Sequence, residues 1–259
     1  MLGKLLKYDF KILFKTTAPT FAAALLIGFL TRILNLLADW NNLFSIPAAL
    51  MSIFFTLAVI FLPMLTFVFT IMKFYQNLVK DEGYLIHTLP VSKHKLVLSK
   101  TISSFIVLGI SLIVSIIVVL IGIFDVGIFD NIFIFLRELW EMIPHSVIFI
   151  TIITVIIGVI TQQLMFYAAI ALGQTRNNHK VGYSIAFGIG LYYLNQMLGL
   201  ILLIPMAFND KFASYYKMDI PPVEFLNVIL LISGLISLVC GIVYYIITVK
   251  VFEKKLNLE

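Results

Sequence analysis

The stretch "TISSFIVLGISLIVSIIVVLIGIF" (Thr101–Phe124) decides the fold class. No charged residue interrupts it, and it exceeds the roughly 20 residues that a helix needs to cross a bilayer core of about 30 Å. Buried strands are shorter, and the apolar–polar alternation of a membrane β-barrel is absent. In hydrocarbon an α-helix satisfies its own backbone groups, so the run reads as a transmembrane helix. Five more such runs lie at about 18–37, 48–72, 147–172, 181–207 and 226–249. The 259 residues are 61% hydrophobic and only 12% charged, with a mean hydropathy of +1.08. A soluble domain must cover itself with more polar surface than that. The expectation is an all-α membrane protein: six transmembrane helices forming a single domain over 1–259.

Charge placement predicts the orientation. Segments 1–17, 73–100, 173–180 and 250–259 hold Lys4, Lys7, Lys11, Lys15, Lys73, Lys80, Lys93, Lys95, Lys100, Arg176, Lys180, Lys250, Lys254 and Lys255. Segments 38–47, 125–146 and 208–225 hold only Arg137, Lys211 and Lys217, with most of the acids. Basic residues stay in cytoplasmic loops, so both termini are expected in the cytoplasm. The lone cysteine, Cys240, excludes an internal disulfide.

In residues 1–17, Lys4, Lys7, Lys11 and Lys15 share one narrow arc at helical spacing, with Leu2, Leu6 and Leu13 opposite. That pattern predicts an interfacial helix with its lysines toward anionic headgroups. Asp9 falls toward the apolar side, so either it pairs with a basic group elsewhere or the helix is rotated from this wheel.

The segment 73–100 predicts a continuation of the second helix through "KFYQNLVKDE", an end near Gly83, and a new helix capped by Ser92. Pro90 disfavours helix at Leu89. Between them stands an apolar knob: Tyr84, Leu85, Ile86 and Leu89. Such a knob either dips into the headgroup region or tucks under the bundle, or it docks into a groove on a soluble partner.

The stretch "FYQNLVKDEGYLIHTLPVSKHKLVLSK" (Phe74–Lys100) resembles the loop between the second and third spans of type-2 ABC exporter permeases of Gram-positive bacteria. "LLKYDFKILFK" (Leu5–Lys15) is similar to their N-terminal elbow helix. The shared pattern is Asp81, Glu82, Gly83, Tyr84, Leu85, then Thr88, Leu89, Pro90, Val91 and Ser92. The resemblance implies a short cytoplasmic coupling helix here, with Asp81 to Leu85, Ile86, Thr88, Leu89 and Pro90 against a separate ATP-binding subunit. ATP and Mg would belong to that partner, and a second permease copy or a related permease would complete the transporter. The family location is the bacterial plasma membrane, with membrane lipid and no nucleic acid among the partners. This chain has no G-x-x-x-x-G-K-[ST] loop, so no ATPase activity, cofactor or catalytic residue is expected in it.

Within the spans, Tyr192, Asn195 and Gln196 mark a candidate translocation path, weighed against plain interhelical hydrogen bonding. Gln162 and Gln163 read as packing or interface residues. Gly182, Ala186 and Gly190 recur every four residues and suit a close helix contact or a dimer contact. Pro63 should bend the second span. "FDNIFIFLRELWEMIPH" (Phe129–His145) reads as an amphipathic helix on the outer surface. No span carries a central charge, which disfavours an ion-coupled transporter. His87, His94, His145 and His179 lack metal-ligand spacing. The functional expectation is ATP-driven export of an amphipathic peptide, antibiotic or lipid-like molecule. The alternative is a non-transporting immunity, assembly or signalling factor.

Overall fold

The structure is a computed structural model, and it describes residues 2–79, 91–123, 126–176, 178–208 and 222–254. Seven α-helices account for nearly all of them: α1 Leu2–Trp40, α2 Ser45–Leu78, α3 Lys93–Gly122, α4 Val126–Met142, α5 His145–Gly173, α6 Lys180–Ala207 and α7 Val223–Lys254. Helices α1, α2, α3, α5 and α7 are long and apolar enough to cross a membrane. The chain is thus an all-helical membrane protein among its described residues. Helix α6 covers the expected fifth span, and its middle carries Tyr192, Tyr193, Asn195 and Gln196. Helix α4 matches the expected amphipathic segment and leaves Phe133, Phe135, Leu136 and Trp140 uncovered by this chain.

Two expectations change. The segment 1–17 does not form a separate helix, because α1 runs unbroken from Leu2 to Trp40. The second helix stops at Leu78, with Val79 in a turn, short of the expected Gly83. Pro63 lies within α2 without ending it. Helix α3 starts at Lys93, and the Ser92 carbonyl accepts from the Lys95 and Leu96 amides, so Ser92 sits at the expected cap position. The knob itself, Tyr84 to Leu89, lies outside the described residues.

The chain divides into two compact units. The first, residues 1–76 and 98–137, packs α1, α2 and α3 around Leu13, Phe21, Ala24, Leu62, Val107 and Val118. Asp9 ties the first turns of α1 to α3. Its carboxylate lies 2.6 Å from the Lys100 ammonium and accepts a hydrogen bond from the Ser99 hydroxyl at 2.5 Å. Asp9 is 4% exposed and Lys100 6% exposed. The first turns of α1 are therefore held along α3, and the four lysines of the opposite face stay exposed. Further along, Gly28 approaches Val118 so closely that a Cβ would lie 3.2 Å from its carbonyl oxygen. The two contacts lie about 28 Å apart along either helix, close to one hydrocarbon thickness. They also show that α1 and α3 run in the same direction.

The second unit, residues 77–97 and 138–259, contains α5, α6 and α7. Helices α5 and α7 also run in the same direction, along a seam of seven-residue period. The Thr154 hydroxyl donates to the Leu230 carbonyl at 3.3 Å, and the Thr161 hydroxyl to the Ser237 carbonyl at 2.8 Å. Gly234 faces Thr154 and Gly241 faces Thr161. One step either way, the Asn227 amide donates to the Ser146 hydroxyl, and Ala168 and Thr248 are fully buried. A seven-residue period holds two helices in left-handed contact. Small residues let the backbones close in until a threonine on one helix reaches a carbonyl on the other.

Removing one partner of a buried ion pair leaves the other charge uncompensated. Lys100→Ala, which leaves the buried Asp9 carboxylate uncompensated, should therefore destabilise the purified protein by about 3–5 kcal/mol. The double variant Asp9→Leu/Lys100→Leu should lose clearly less. Reversible unfolding in mixed detergent micelles measures both, and equal losses would contradict the pairing.

Candidate functional site

Helices α5 and α6 form a hairpin that is tight at its closed end. Gly173 lies against Ser184, where a Cβ would come within 2.6 Å of the Ser184 backbone nitrogen. The Ser184 hydroxyl lies 3.4 Å from the Ile170 carbonyl, and Gly188 packs on Ala169. Continuing this antiparallel register sets Gly158 opposite Gly199. Neither has any atom within 4 Å of the Cβ position, so the hairpin has opened.

Asn195 marks the change. It accepts a hydrogen bond from the Tyr244 hydroxyl of α7 at 2.5 Å, and its amide nitrogen lies 3.4 Å from the Met165 sulfur of α5. On the closed side of this three-helix junction, Met165, Tyr167 and Ala168 are fully buried, and Gln163 donates to the Tyr167 hydroxyl at 2.7 Å. On the open side lies a cleft of about 480 Å³. Helix α5 contributes Gly158, Thr161 and Gln162 to it, and α6 contributes Asn195, Gln196, Gly199 and Leu200. Helix α7 supplies an apolar wall of Ile229, Ile232 and Ile236, with Ser233, Ser237 and Cys240 beside it. The volume falls in the range of small-molecule sites, which pair apolar walls with a few polar groups.

No Asp, Glu, Lys, Arg or His lines this cleft. Its polar groups divide in two. The Asn195 amide and the Thr161 hydroxyl are engaged by neighbouring helices, so they serve packing as well as lining. The amides of Gln162 and Gln196 have no hydrogen-bond partner among the described residues. An amide moved into hydrocarbon without a partner costs about 4–8 kcal/mol.

Of the three candidate path residues, Asn195 and Gln196 line the cleft and Tyr192 does not. Tyr192 is exposed and meets Tyr193 edge-to-face at 5.9 Å. Gln162, read from the sequence as a packing residue, lines the cleft, while Gln163 is buried. Gly182, Ala186 and Gly190 are exposed, and Gly190 has no atom within 4 Å of its Cβ position. The close contacts of α6 are made through Ser184 and Gly188 instead. Sequence reading missed the seam of Thr154 and Thr161 against Gly234 and Gly241. The signal was present, because Asn227, Gly234, Gly241 and Thr248 stand seven residues apart. Asp81 to Pro90, the coupling candidates, lie outside the described residues.

At the opposite end of α7, the Tyr245 hydroxyl and His94 Nδ1 share a hydrogen bond of 3.2 Å. His94 Nε2 lies 3.9 Å from a Glu253 carboxylate oxygen. These contacts tie the first turn of α3 to the last turns of α7.

No family model, curated protein or solved structure matches the chain.

The glycines separate packing from vacancy. Gly158→Ala and Gly199→Ala add helix propensity where there is room, and each should stabilise the protein by about 0.5–1 kcal/mol. Gly173→Ala and Gly241→Ala push into Ser184 and Thr161, and should destabilise it by about 1–3 kcal/mol. Unfolding of the four variants in micelles tests the contrast.

Proposed function

We propose that this chain is the transmembrane permease subunit of an ATP-driven exporter of the type-2 ABC kind. It moves an amphipathic substrate out of the cytoplasm by alternating access, while a separate ATP-binding subunit supplies the energy. The observation that carries this reading is the uncharged, amide-bearing cleft midway along α5, α6 and α7. An ion-coupled transporter needs a carboxylate or histidine at such a depth as its relay. Among the described residues the buried charges are Asp9 and Lys100, near the N-terminal ends of α1 and α3 and paired with each other. The cleft therefore suits a passenger whose movement is driven from outside the bundle.

Sequence supports the rest of the proposal. Charge asymmetry favours six spans with both termini in the cytoplasm, α6 being the fifth. Residues 2–17 then extend α1 beyond the hydrocarbon as an elbow-like segment, with Lys4, Lys7, Lys11 and Lys15 toward anionic lipid. Asp81, Glu82 and the apolar knob behind them form the contact with the ATP-binding subunit. A second permease copy, or a related permease, completes the pathway. Nucleotide binding at the partner biases the permeases between two arrangements, and this chain needs no ATP site of its own.

Purification in mild detergent tests the assembly. The chain should bring down a soluble protein bearing a Walker A loop, and the complex should hydrolyse ATP. Leu85→Asp removes a docked apolar side chain worth about 1.5–3 kcal/mol, so it should weaken capture at least about tenfold. Charge reversal at Asp81 or Glu82 should uncouple ATP hydrolysis from transport in vesicles while the bundle melts normally. Unchanged transport in these variants would defeat the coupling role. Capture of a partner without ATP hydrolysis would favour the immunity, assembly or signalling alternative.

A further inference from the structure

Gln162 of α5 and Gln196 of α6 carry the inference. Both line the cleft, and neither has a partner among the described residues. Thr154 and Thr161 are answered by carbonyls of α7 and Asn195 by Tyr244. Gln163 Oε1, Gln174 Nε2 and Asn227 Oδ1 are buried without a partner, but none of those residues lines the cleft. Apolar helices leave little water to complete the two glutamines. Gln162 is half-buried and Gln196 exposed, so both amides are open to a group that enters the cleft.

The lining says what that group is. A carboxylate or an ammonium would enter without a counter-charge, because no ionised side chain faces the cleft. The entering group is therefore neutral. Each glutamine offers an N–H donor and a carbonyl acceptor side by side. A secondary amide presents the complementary pair, whereas an ester offers acceptors only. Ile229, Ile232, Ile236 and Leu200 then require apolar flanks on the amide. Gly158 and Gly199 keep the space clear, since any larger residue would project into it.

We infer that the cleft between α5, α6 and α7 is a binding site for a neutral, apolar molecule bearing a peptide-like amide, held by Gln162 and Gln196. This rests on the exporter reading for its place in transport, but the binding itself does not depend on it. It narrows the substrate class from amphipathic molecules in general to uncharged acyl-amide or peptide chains. Charged lipids and fatty acids fall outside it.

The single cysteine provides the reporter, because Cys240 lines the same cleft. The full chain in lipid nanodiscs is alkylated with N-ethylmaleimide and followed by intact mass. The probe is N-acetyl-leucyl-leucine methylamide; its ester-linked analogue, laurate and dodecylamine are comparators. At about four times its Kd, a bound probe slows alkylation about fivefold. The expected result is that slowing with the capped dipeptide, and no slowing with the three comparators. Gln162→Leu and Gln196→Leu should each abolish the protection, and Gly199→Leu should do so by filling the cleft. Ser233→Cys in a Cys240→Ser background repeats the measurement from a second position. Equal alkylation with and without the capped dipeptide at both reporters overturns the inference, as does equal protection by laurate or full protection in Gln196→Leu. Loss of protection in a complex that still couples ATP hydrolysis to transport would remove this inference alone. Protection in a chain that captures no ATP-binding subunit would leave the site and remove the exporter reading.

Discussion

A bilayer gives no hydrophobic reward for laying one apolar helix against another, since lipid tails are as apolar as leucine. Helix position in this protein therefore depends on the few polar and small residues that hydrocarbon cannot satisfy. In the first unit that role falls to the Asp9–Lys100 pair, reinforced by Ser99 and balanced by the Gly28–Val118 approach about one bilayer thickness away. In the second it falls to Thr154 and Thr161, whose hydroxyls reach carbonyls of α7 across glycines. The buried hydroxyls Thr17, Thr66, Ser111 and Ser115 instead donate to carbonyls of their own helices. They are small and already satisfied, so they allow close packing without dictating it.

The same constraint creates the cleft. Where α6 presents Ser184 and Gly188 it closes on α5; past Asn195 it stands away. Asn195 is the last residue of the closed part, bound to α7 through Tyr244 and set against Met165 of α5. Beyond it, two glycines leave space and two glutamines leave hydrogen bonds unmade. A membrane protein tolerates such a place where something other than lipid fills it. That is why the site and the proposed transport role share one physical origin.

Legibility from the sequence varied by residue. Five of the six expected spans were plain, because an apolar run of bilayer length has one solution. The Ser92 cap position was readable from local chemistry, since a cap depends on the residue itself and the first turn after it. Asp9 was readable as a problem but not as an answer. Its place on an apolar face called for either a basic partner or a rotated helix, and several lysines were eligible. The choice of Lys100, distant in sequence, required α1 and α3 to lie side by side. The glutamines were harder. Gln162 and Gln163 are neighbours with the same chemistry, yet one lines the cleft and the other is buried on Tyr167. A rotation of about 100° per residue separates the two, and nothing local says which direction faces a neighbour.

The sequence by itself determined that this is an apolar helical protein, where most of its helices lie, and that Asp9 was at odds with its apolar face. Those follow from length, hydropathy and the cost of an unpaired charge, all of which act within one segment. Only the tertiary structure decided that Gly182, Ala186 and Gly190 stay exposed while Ser184 and Gly188 make the contacts. It alone brought Asn195, Gln162 and Gln196 to one cleft. Helix pairing and rotation are set by contacts between segments far apart in the chain, and apolar faces of equal greasiness do not specify them.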